Sequence, residues 1–172
     1  MIGLDFDGTV ANYGDVWELS FNGALLEMLP HSAPVAIITN QGGLPFSVKG
    51  GKVYPTPERL AERLRAGVNW LNANGHPVQM VCVSVYHPSA DAKAITSAAH
   101  QLRKLMPSVI GGWAWRVYET ERARKPSPLM LKYAQVTSYY GDGAEDVEAA
   151  RAAGVMMHYV NRHVIDKVRD GR

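Results

Sequence analysis

The chain has 172 residues, of which 47% are hydrophobic and 20% charged, and its formal net charge is +2. This length suffices for one domain with a buried core, so we expect a single domain over residues 1–172. The net charge is too small to require a nucleic-acid or membrane partner, although it leaves room for a local basic face. No apolar stretch is long enough to span a bilayer.

A single cysteine, Cys82, lies in the apolar run VQMVCVSVY. One thiol makes neither an internal disulfide nor a cysteine zinc site. The chain begins with an apolar segment that leads directly into an acidic loop, and no signal peptide is recognisable. We therefore expect a cytoplasmic protein without a membrane partner.

Short apolar runs and helical patterns alternate along the chain. The runs are nearly continuous, which is typical of strands buried on both faces of a sheet. Five strands are predicted: Ile2–Phe6, Val35–Thr39, Gln79–Tyr86, Thr137–Gly141 and Val155–Val160. Helices are predicted at Leu19–Leu29, Pro57–Asn74, Ala90–Leu105, Ser127–Ala134 and Ala144–Ala153. The alternation predicts a three-layer α/β fold of Rossmann-like type, with helices on both faces of a parallel sheet.

Two segments do not fit this alternation. Residues 42–56 (GGLPFSVKGGKVYPT) and residues 107–124 (PSVIGGWAWRVYETERAR) are predicted to be long loops. Loops of this length in a compact domain are either functional or mobile surface segments, and the sequence leaves both readings open.

Acidic and polar residues lie at the ends of the predicted strands. They are Asp5 and Asp7 at the end of the first strand, Thr39–Gln41 at the end of the second, and Asp142 at the end of the fourth, with Asp146 following. Ligands of open parallel sheets bind beyond the carboxyl ends of the strands, so these side chains are expected to meet at one rim. Carboxylates held close together are unfavourable unless a cation lies between them. The rim is therefore a candidate site for a hard metal ion and an anionic ligand.

Four motifs occur in order along the chain. They are DFDGTV (residues 5–10), IITNQ (37–41), ARKPSP (123–128) and YYGDGAEDVEAARAAG (139–154). Together they resemble the haloacid dehalogenase-like (HAD) phosphatase superfamily over nearly the whole chain. The resemblance implies a HAD-type sheet. Because only residues 11–34 separate the first motif from the second strand, it also implies a capless or minimally capped site.

The resemblance implies a role for each motif residue. Asp5 would be the nucleophile that forms an aspartyl-phosphate, and Asp7 the general acid/base. Thr39 would donate a hydrogen bond to a phosphoryl oxygen, and Lys125 would neutralise the charge of Asp5 and the phosphate. The expected cofactor is Mg²⁺, held by Asp5, Asp7 (through its main-chain carbonyl), Asp142 and, nearby or through water, Asp146. Substrate contacts are expected from Arg124 and from the main-chain N–H groups of Gly8 and Asn40.

Within the superfamily, TNQGG and RKPSPLML resemble a branch that contains histidinol-phosphate and heptose-bisphosphate phosphatases and the 3′-phosphatase domain of polynucleotide kinase-phosphatase. The first two carry a zinc loop of cysteines and histidine before the motif lysine. This chain has YHPSADAKA there, with His87 but no further cysteine. The resemblance therefore favours a 3′-phosphate on a nucleic acid or nucleotide as substrate. The long stretch Ala90–Glu121 and the sequence GDGAED depart from the 3′-phosphatase form.

Basic and aromatic side chains in the two predicted loops are candidate nucleic-acid contacts. Basic residues that could follow a phosphate backbone are Lys49, Lys52, Arg116, Arg122 and Arg124. Candidates for stacking on bases are Trp113, Trp115 and Tyr118. Core packing of the tryptophans and ordinary solvation of the charges are the competing interpretations.

Other functions remain open at this point. The main alternative is a phosphatase of small molecules such as a sugar phosphate, histidinol phosphate or mononucleotide. A binding protein that keeps the fold without turnover is a further alternative, although the intact Asp5, Asp7 and Lys125 argue against it. A phosphotransferase and a haloacid dehalogenase are further alternatives. The presence of Asp7 argues against the dehalogenase, because dehalogenation does not need that residue.

Overall fold

The computed structural model describes residues 1–12, 18–48, 54–106, 109–110 and 112–161. Within these residues seven strands form one sheet. They are β1 (Ile2–Leu4), β2 (Val35–Asn40), β3 (Val78–Ser84), β4 (Val109–Ile110), β5 (Trp113–Tyr118), β6 (Ser138–Gly141) and β7 (Met156–Tyr159). The spatial order is β4-β5-β3-β2-β1-β6-β7, and all neighbouring pairs are parallel except the antiparallel edge pair of β4 and β5. The predicted α/β fold with a parallel sheet is confirmed.

Six α-helices occur in the described part of the chain. They are α1 (Gly23–Met28), α2 (Leu44–Ser47), α3 (Pro57–Ala73), α4 (Ala92–Leu105), α5 (Leu129–Tyr133) and α6 (Ala144–Ala153), and a 3₁₀ turn covers Glu121–Ala123. The longest, α3, begins with Pro57 at its first position, and the Thr56 hydroxyl oxygen accepts a hydrogen bond from the Arg59 N–H at 3.2 Å. None of the helices is long and apolar enough to cross a membrane.

The alternation of side chains along the strands builds two apolar cores, one on each face of the sheet. On β2, Ile37 packs in one core and Ile38 in the other. Helices α1, α3 and α4 cover the first core, and α5 and α6 cover the second. Burial on both faces explains why the strands are nearly continuously apolar in sequence.

The segment 107–124 corrects one prediction. It contains β5, which pairs in parallel with β3 over Trp113–Tyr118 and so belongs to the sheet. Trp113 and Trp115 are each only 3% exposed and lie in the larger core, so their proposed stacking on bases is wrong. This strand was not predicted, because Arg116 interrupts its short apolar run and weakens the local strand pattern.

The other candidate nucleic-acid residues fall in different places. Arg116 is exposed and donates a hydrogen bond from Nε to the Tyr133 hydroxyl at 2.7 Å. Arg122 is also exposed, whereas Tyr118 is half-buried against the second core. Lys49 and Lys52 lie outside the described residues. The predicted loop 42–56 contains the short helix α2.

The strand order creates a switch point at the centre of the sheet. From β1 the chain moves outward through β2, β3 and β5, and it then returns to β6 on the other side of β1. The carboxyl ends of β1, β2 and β6 are therefore neighbours. Open α/β sheets bind ligands at such a point.

Candidate active site

The loop after β1 is a tight turn that carries Asp5 and Asp7. The Asp5 N–H donates to the Tyr140 carbonyl at 2.8 Å, which continues the pairing with β6. The Phe6 carbonyl then accepts hydrogen bonds from the N–H groups of Val10 and Ala11, both at 3.0 Å. This turn holds the two carboxyl groups at the rim of the sheet.

Gly8 is required by this turn for two reasons. Its φ of +83° lies in the left-handed region that glycine adopts most readily. A Cβ atom at this position would lie 2.4 Å from Oδ2 of Asp142, so the absence of a side chain lets the two loops approach. The Gly8 N–H, predicted to contact phosphate, donates to the Ala11 carbonyl at 2.7 Å and so has a partner within the turn.

Replacing Gly8 by alanine should therefore destabilise the protein by about 1–2 kcal/mol from the backbone conformation alone. It should also displace Asp142 and, if the site holds the expected Mg²⁺, reduce the rise in melting temperature on addition of that ion. Calorimetric melting with and without Mg²⁺ measures both effects. Gly75→Ala is the matched control, because Gly75 has a φ of +84° but open space around its Cβ position. An equal Mg²⁺ response in the two variants would contradict the role given to Gly8.

Lys125 lies at the centre of the buried charges. Its ammonium donates to Asp5 Oδ1 at 2.7 Å, to Asp146 Oδ1 at 2.5 Å and to the Tyr139 hydroxyl oxygen at 2.9 Å. The Tyr139 hydroxyl donates in turn to the Ile38 carbonyl at 3.2 Å. Lys125 is only 3% exposed, so its three hydrogen bonds replace the water that the ammonium loses on folding.

Burial and charge oppose each other in this cluster. Burial alone would lower the pKa of Lys125, but the surrounding carboxylates of Asp5 and Asp146 raise that pKa well above its usual value. Burial raises the pKa of Asp5 to about 8, against the opposing effect of the Lys125 ammonium. A further cation beside Asp5 would favour its ionised form.

Asn40 fixes the main chain at Lys125. Its side-chain oxygen accepts from the Lys125 N–H at 3.0 Å, and its amide nitrogen donates to the Lys125 carbonyl at 3.0 Å. The amide nitrogen also donates to Glu145 Oε2 at 2.8 Å. The side chain thus has a structural task, and substrate binding by the Asn40 main chain stays a prediction.

Arg124 lies at the edge of the site. One guanidinium nitrogen lies 3.4 Å from Glu145 Oε1, and the other donates to the Tyr86 carbonyl at 3.4 Å. Gly42 lies against it, since a Cβ there would be 2.7 Å from Arg124 Nη1. Both contacts are long, and contact between Arg124 and a substrate stays a prediction.

Asp7 is held by Arg63, which sequence reasoning missed, and by Gln41, which the sequence placed at this rim without a contact to Asp7. Gln41 Nε2 donates to Asp7 Oδ2 at 2.5 Å, and Arg63 Nη2 donates to Asp7 Oδ1 at 3.0 Å. Gln41 also donates to Thr39 Oγ1 at 2.9 Å. The Thr39 oxygen accepts in this bond, so its hydroxyl proton is free to donate to another group. Burial raises the pKa of Asp7, while Arg63 and Gln41 oppose the rise.

The sequence contained a signal for Gln41 and Arg63 but not for Tyr139. Gln41 stands inside IITNQ. Arg63 interrupts the buried stripe of α3, where apolar positions recur at helical spacing. A charged residue on such a stripe must find a buried partner. Tyr139 reads as an ordinary residue of β6.

Three buried carboxyl groups lie close enough together to bind one metal ion. One oxygen from each of Asp5, Asp142 and Asp146 lies within 4.8 Å of the others. Oxygen donors are the ligands that Mg²⁺ prefers, so the donor set fits this ion. Asp146 Oδ1 also accepts from Lys125 and lies 3.1 Å from the Tyr139 hydroxyl oxygen, and its Oδ2 accepts from the Gly143 N–H at 3.1 Å. The part that Asp146 plays at a metal ion stays a prediction.

Most of the predicted site residues share one cavity, whereas Gly8 and Arg124 are not part of its lining. Its volume is about 360 Å³, and its lining includes Asp5, Asp7, Thr39, Asn40, Lys125, Asp142 and Asp146. Gly143, Ala144 and Glu145 at the start of α6 complete it. No family model matches the chain, and no curated protein matches it.

Proposed function

We propose that this chain is a HAD-type phosphatase that hydrolyses phosphomonoesters through an aspartyl-phosphate at Asp5. The observation that carries the proposal is the convergence of Asp5, Asp7, Thr39, Lys125 and Asp142 on one cavity from separate strand ends. A catalytically silent binding protein would not need a second carboxyl group, Asp7, directed at the same cavity.

In the first step, an Asp5 carboxylate oxygen attacks the phosphorus atom. A bond forms between this oxygen and phosphorus while the bond to the leaving oxygen breaks. Asp7 gives its proton to that leaving oxygen, so the product departs as an alcohol. The Thr39 hydroxyl donates a hydrogen bond to a phosphoryl oxygen. Lys125, already 2.7 Å from Asp5, balances the charge.

In the second step, water replaces the aspartyl group. Asp7, now a carboxylate, takes a proton from a water molecule as the water oxygen bonds to phosphorus. The bond between phosphorus and Asp5 breaks, which releases inorganic phosphate and restores Asp5. One residue thus serves as acid and then as base.

The carboxylates of Asp5 and Asp142 would bind a Mg²⁺ ion, and Asp146 would lie nearby or act through a water molecule. Such an ion reduces the repulsion between an anionic phosphate and the Asp5 carboxylate. The Asp7 main-chain carbonyl is a further proposed ligand.

For the substrate, we propose a 3′-phosphate on a nucleic acid or nucleotide as the first candidate. Its support is the resemblance of the TNQGG and RKPSPLML segments and the capless arrangement proposed for the site. The second candidate is a small phosphomonoester. The burial of Trp113 and Trp115 favours it, because those side chains do not serve as stacking platforms.

Phosphate release in the presence of Mg²⁺ tests the proposal. The substrates are a 3′-phosphorylated oligonucleotide and a panel of sugar and nucleoside monophosphates, compared side by side. We expect release that EDTA abolishes and added Mg²⁺ restores. Preference for the oligonucleotide supports the first candidate, and preference for a small ester supports the second. No release from any substrate would contradict the phosphatase proposal.

A further inference from the structure

Arg63 is a buried arginine on the core-facing side of α3. It is 1% exposed, and its neighbours along the helix face, Leu60, Leu64 and Gly67, are also buried. Charged side chains are almost never buried this fully unless they are paired. Its partner lies at the candidate active site.

The contacts of Arg63 all lead to the loop after β1. Nη2 donates to Asp7 Oδ1 at 3.0 Å and to the Asn12 carbonyl at 2.5 Å. The guanidinium carbon lies 5.7 Å from the centre of the Phe6 ring. The same ring packs against Gly67, where a Cβ would come within 2.6 Å of it. Helix α3 is therefore fitted closely to the loop that carries both catalytic aspartates.

The hydrogen-bonding of Arg63 is incomplete. Among the residues that the structure describes, its Nη1 atom is buried without a hydrogen-bond partner. An unpaired buried donor costs free energy, and an apolar residue on this stripe would avoid that cost. An apolar residue would fill this core position at a lower cost in free energy than an arginine. We therefore look for the reason for Arg63 in its contact with Asp7.

We propose that Arg63 is a positioning residue that orients Asp7 for proton transfer. The proposal rests on the proposed phosphatase function. When Asp7 gives its proton to the leaving oxygen, the new carboxylate charge forms beside the guanidinium, which stabilises it. Arg63 touches neither the substrate nor the phosphorus atom in this account and acts only through Asp7.

The leaving group of the substrate separates this role from a structural one. p-Nitrophenolate departs without a proton, whereas an alkoxide needs one. The ratio kcat/KM reports the steps up to cleavage of the ester bond. For Arg63→Met we expect kcat/KM to fall about 100-fold for the best alkyl phosphomonoester of the panel above, and less than about tenfold for p-nitrophenyl phosphate.

Two further variants define the comparison. Asp7→Asn should show the same selective loss for the alkyl ester. Arg65→Met is the matched control, because Arg65 lies on the same helix and donates to the Leu105 carbonyl, with no hydrogen bond to a site residue in the described part of the chain. Its two kcat/KM values should stay in the wild-type ratio. If Arg63→Met does not fold, as judged by thermal melting, Arg63→Lys keeps the charge and should show a smaller loss with the same selectivity.

Each outcome decides the inference. Equal losses for the two substrates, or no loss in a folded variant, would overturn the positioning role while leaving the phosphatase proposal intact. Absence of turnover by the wild-type protein on every substrate would overturn both.

Discussion

Replacing Asp5 by asparagine is expected to abolish phosphate release, with a fall in kcat of at least about 10⁴-fold. The amide is a poor nucleophile, so no aspartyl-phosphate forms. The fold should survive, because Lys125 keeps its hydrogen bonds to Asp146 and Tyr139. Phosphate release and far-UV circular dichroism measure the two effects.

Glu62→Gln provides the control for this change. This substitution also replaces a carboxylate by an amide, but Glu62 lies on the surface of α3. Among the described residues its ion-pair partner is Arg59, at 3.3 Å. The activity of Glu62→Gln should equal that of the wild type. Near-normal activity of Asp5→Asn would show that Asp5 is not the nucleophile.

Replacing Lys125 by methionine is expected to destabilise the protein by about 3–5 kcal/mol, because it leaves two buried carboxylates without their cation. Activity should fall at least about 100-fold through the loss of charge stabilisation. Urea unfolding followed by circular dichroism measures the stability. Lys132→Met, on the exposed side of α5, should change it by less than about 0.5 kcal/mol.

A double-mutant cycle identifies the source of the Lys125 effect. Asp146 Oδ1 lies 2.5 Å from the Lys125 ammonium. If the ion pair causes the loss, Lys125→Met and Asp146→Asn together should cost less than the sum of the single changes, by about 0.5–3 kcal/mol. Additive costs would show that packing, and not charge, explains the destabilisation.

The sequence predicted the parts of the fold that depend on repeated local patterns. The apolar runs located β1, β2, β3 and β6, because strands buried on both faces carry a strong signal. The edge strand β7 was also located by its apolar run, although Met156 and Tyr159 are exposed. The strand β5 was missed, since Arg116 faces solvent in the middle of it. Its place beside β3 follows from long-range pairing, which no local pattern records.

The candidate site was predictable where it depends on strand ends. Asp5 and Asp142 follow β1 and β6, Thr39 is the second-last residue of β2, and the parallel sheet brings all three to one rim. The contact between Asp7 and Arg63 was not predictable in the same way. Those residues are 56 positions apart, and only the packing of α3 on the sheet determines which buried group the arginine meets.

The motifs and the composition did not predict the surroundings of the Gly8 N–H or of the two tryptophans. The turn after β1 uses the Gly8 N–H for its own hydrogen bond, which the motif alone does not reveal. The two tryptophans fill a core that the sheet and α4 enclose. Large aromatic side chains bury too much apolar area to stay in solvent when a core position exists for them.

The most direct test of the proposed function is to trap the phosphoryl group on the protein. Asp7→Asn protein is mixed with Mg²⁺ and p-nitrophenyl phosphate, quenched in acid and mapped by peptide mass spectrometry. This substrate needs no proton for its leaving group, whereas the variant lacks the base for hydrolysis. The account predicts one added phosphoryl group, located on Asp5. A wild-type protein that releases phosphate while Asp5 carries no phosphoryl group in the variant would contradict it.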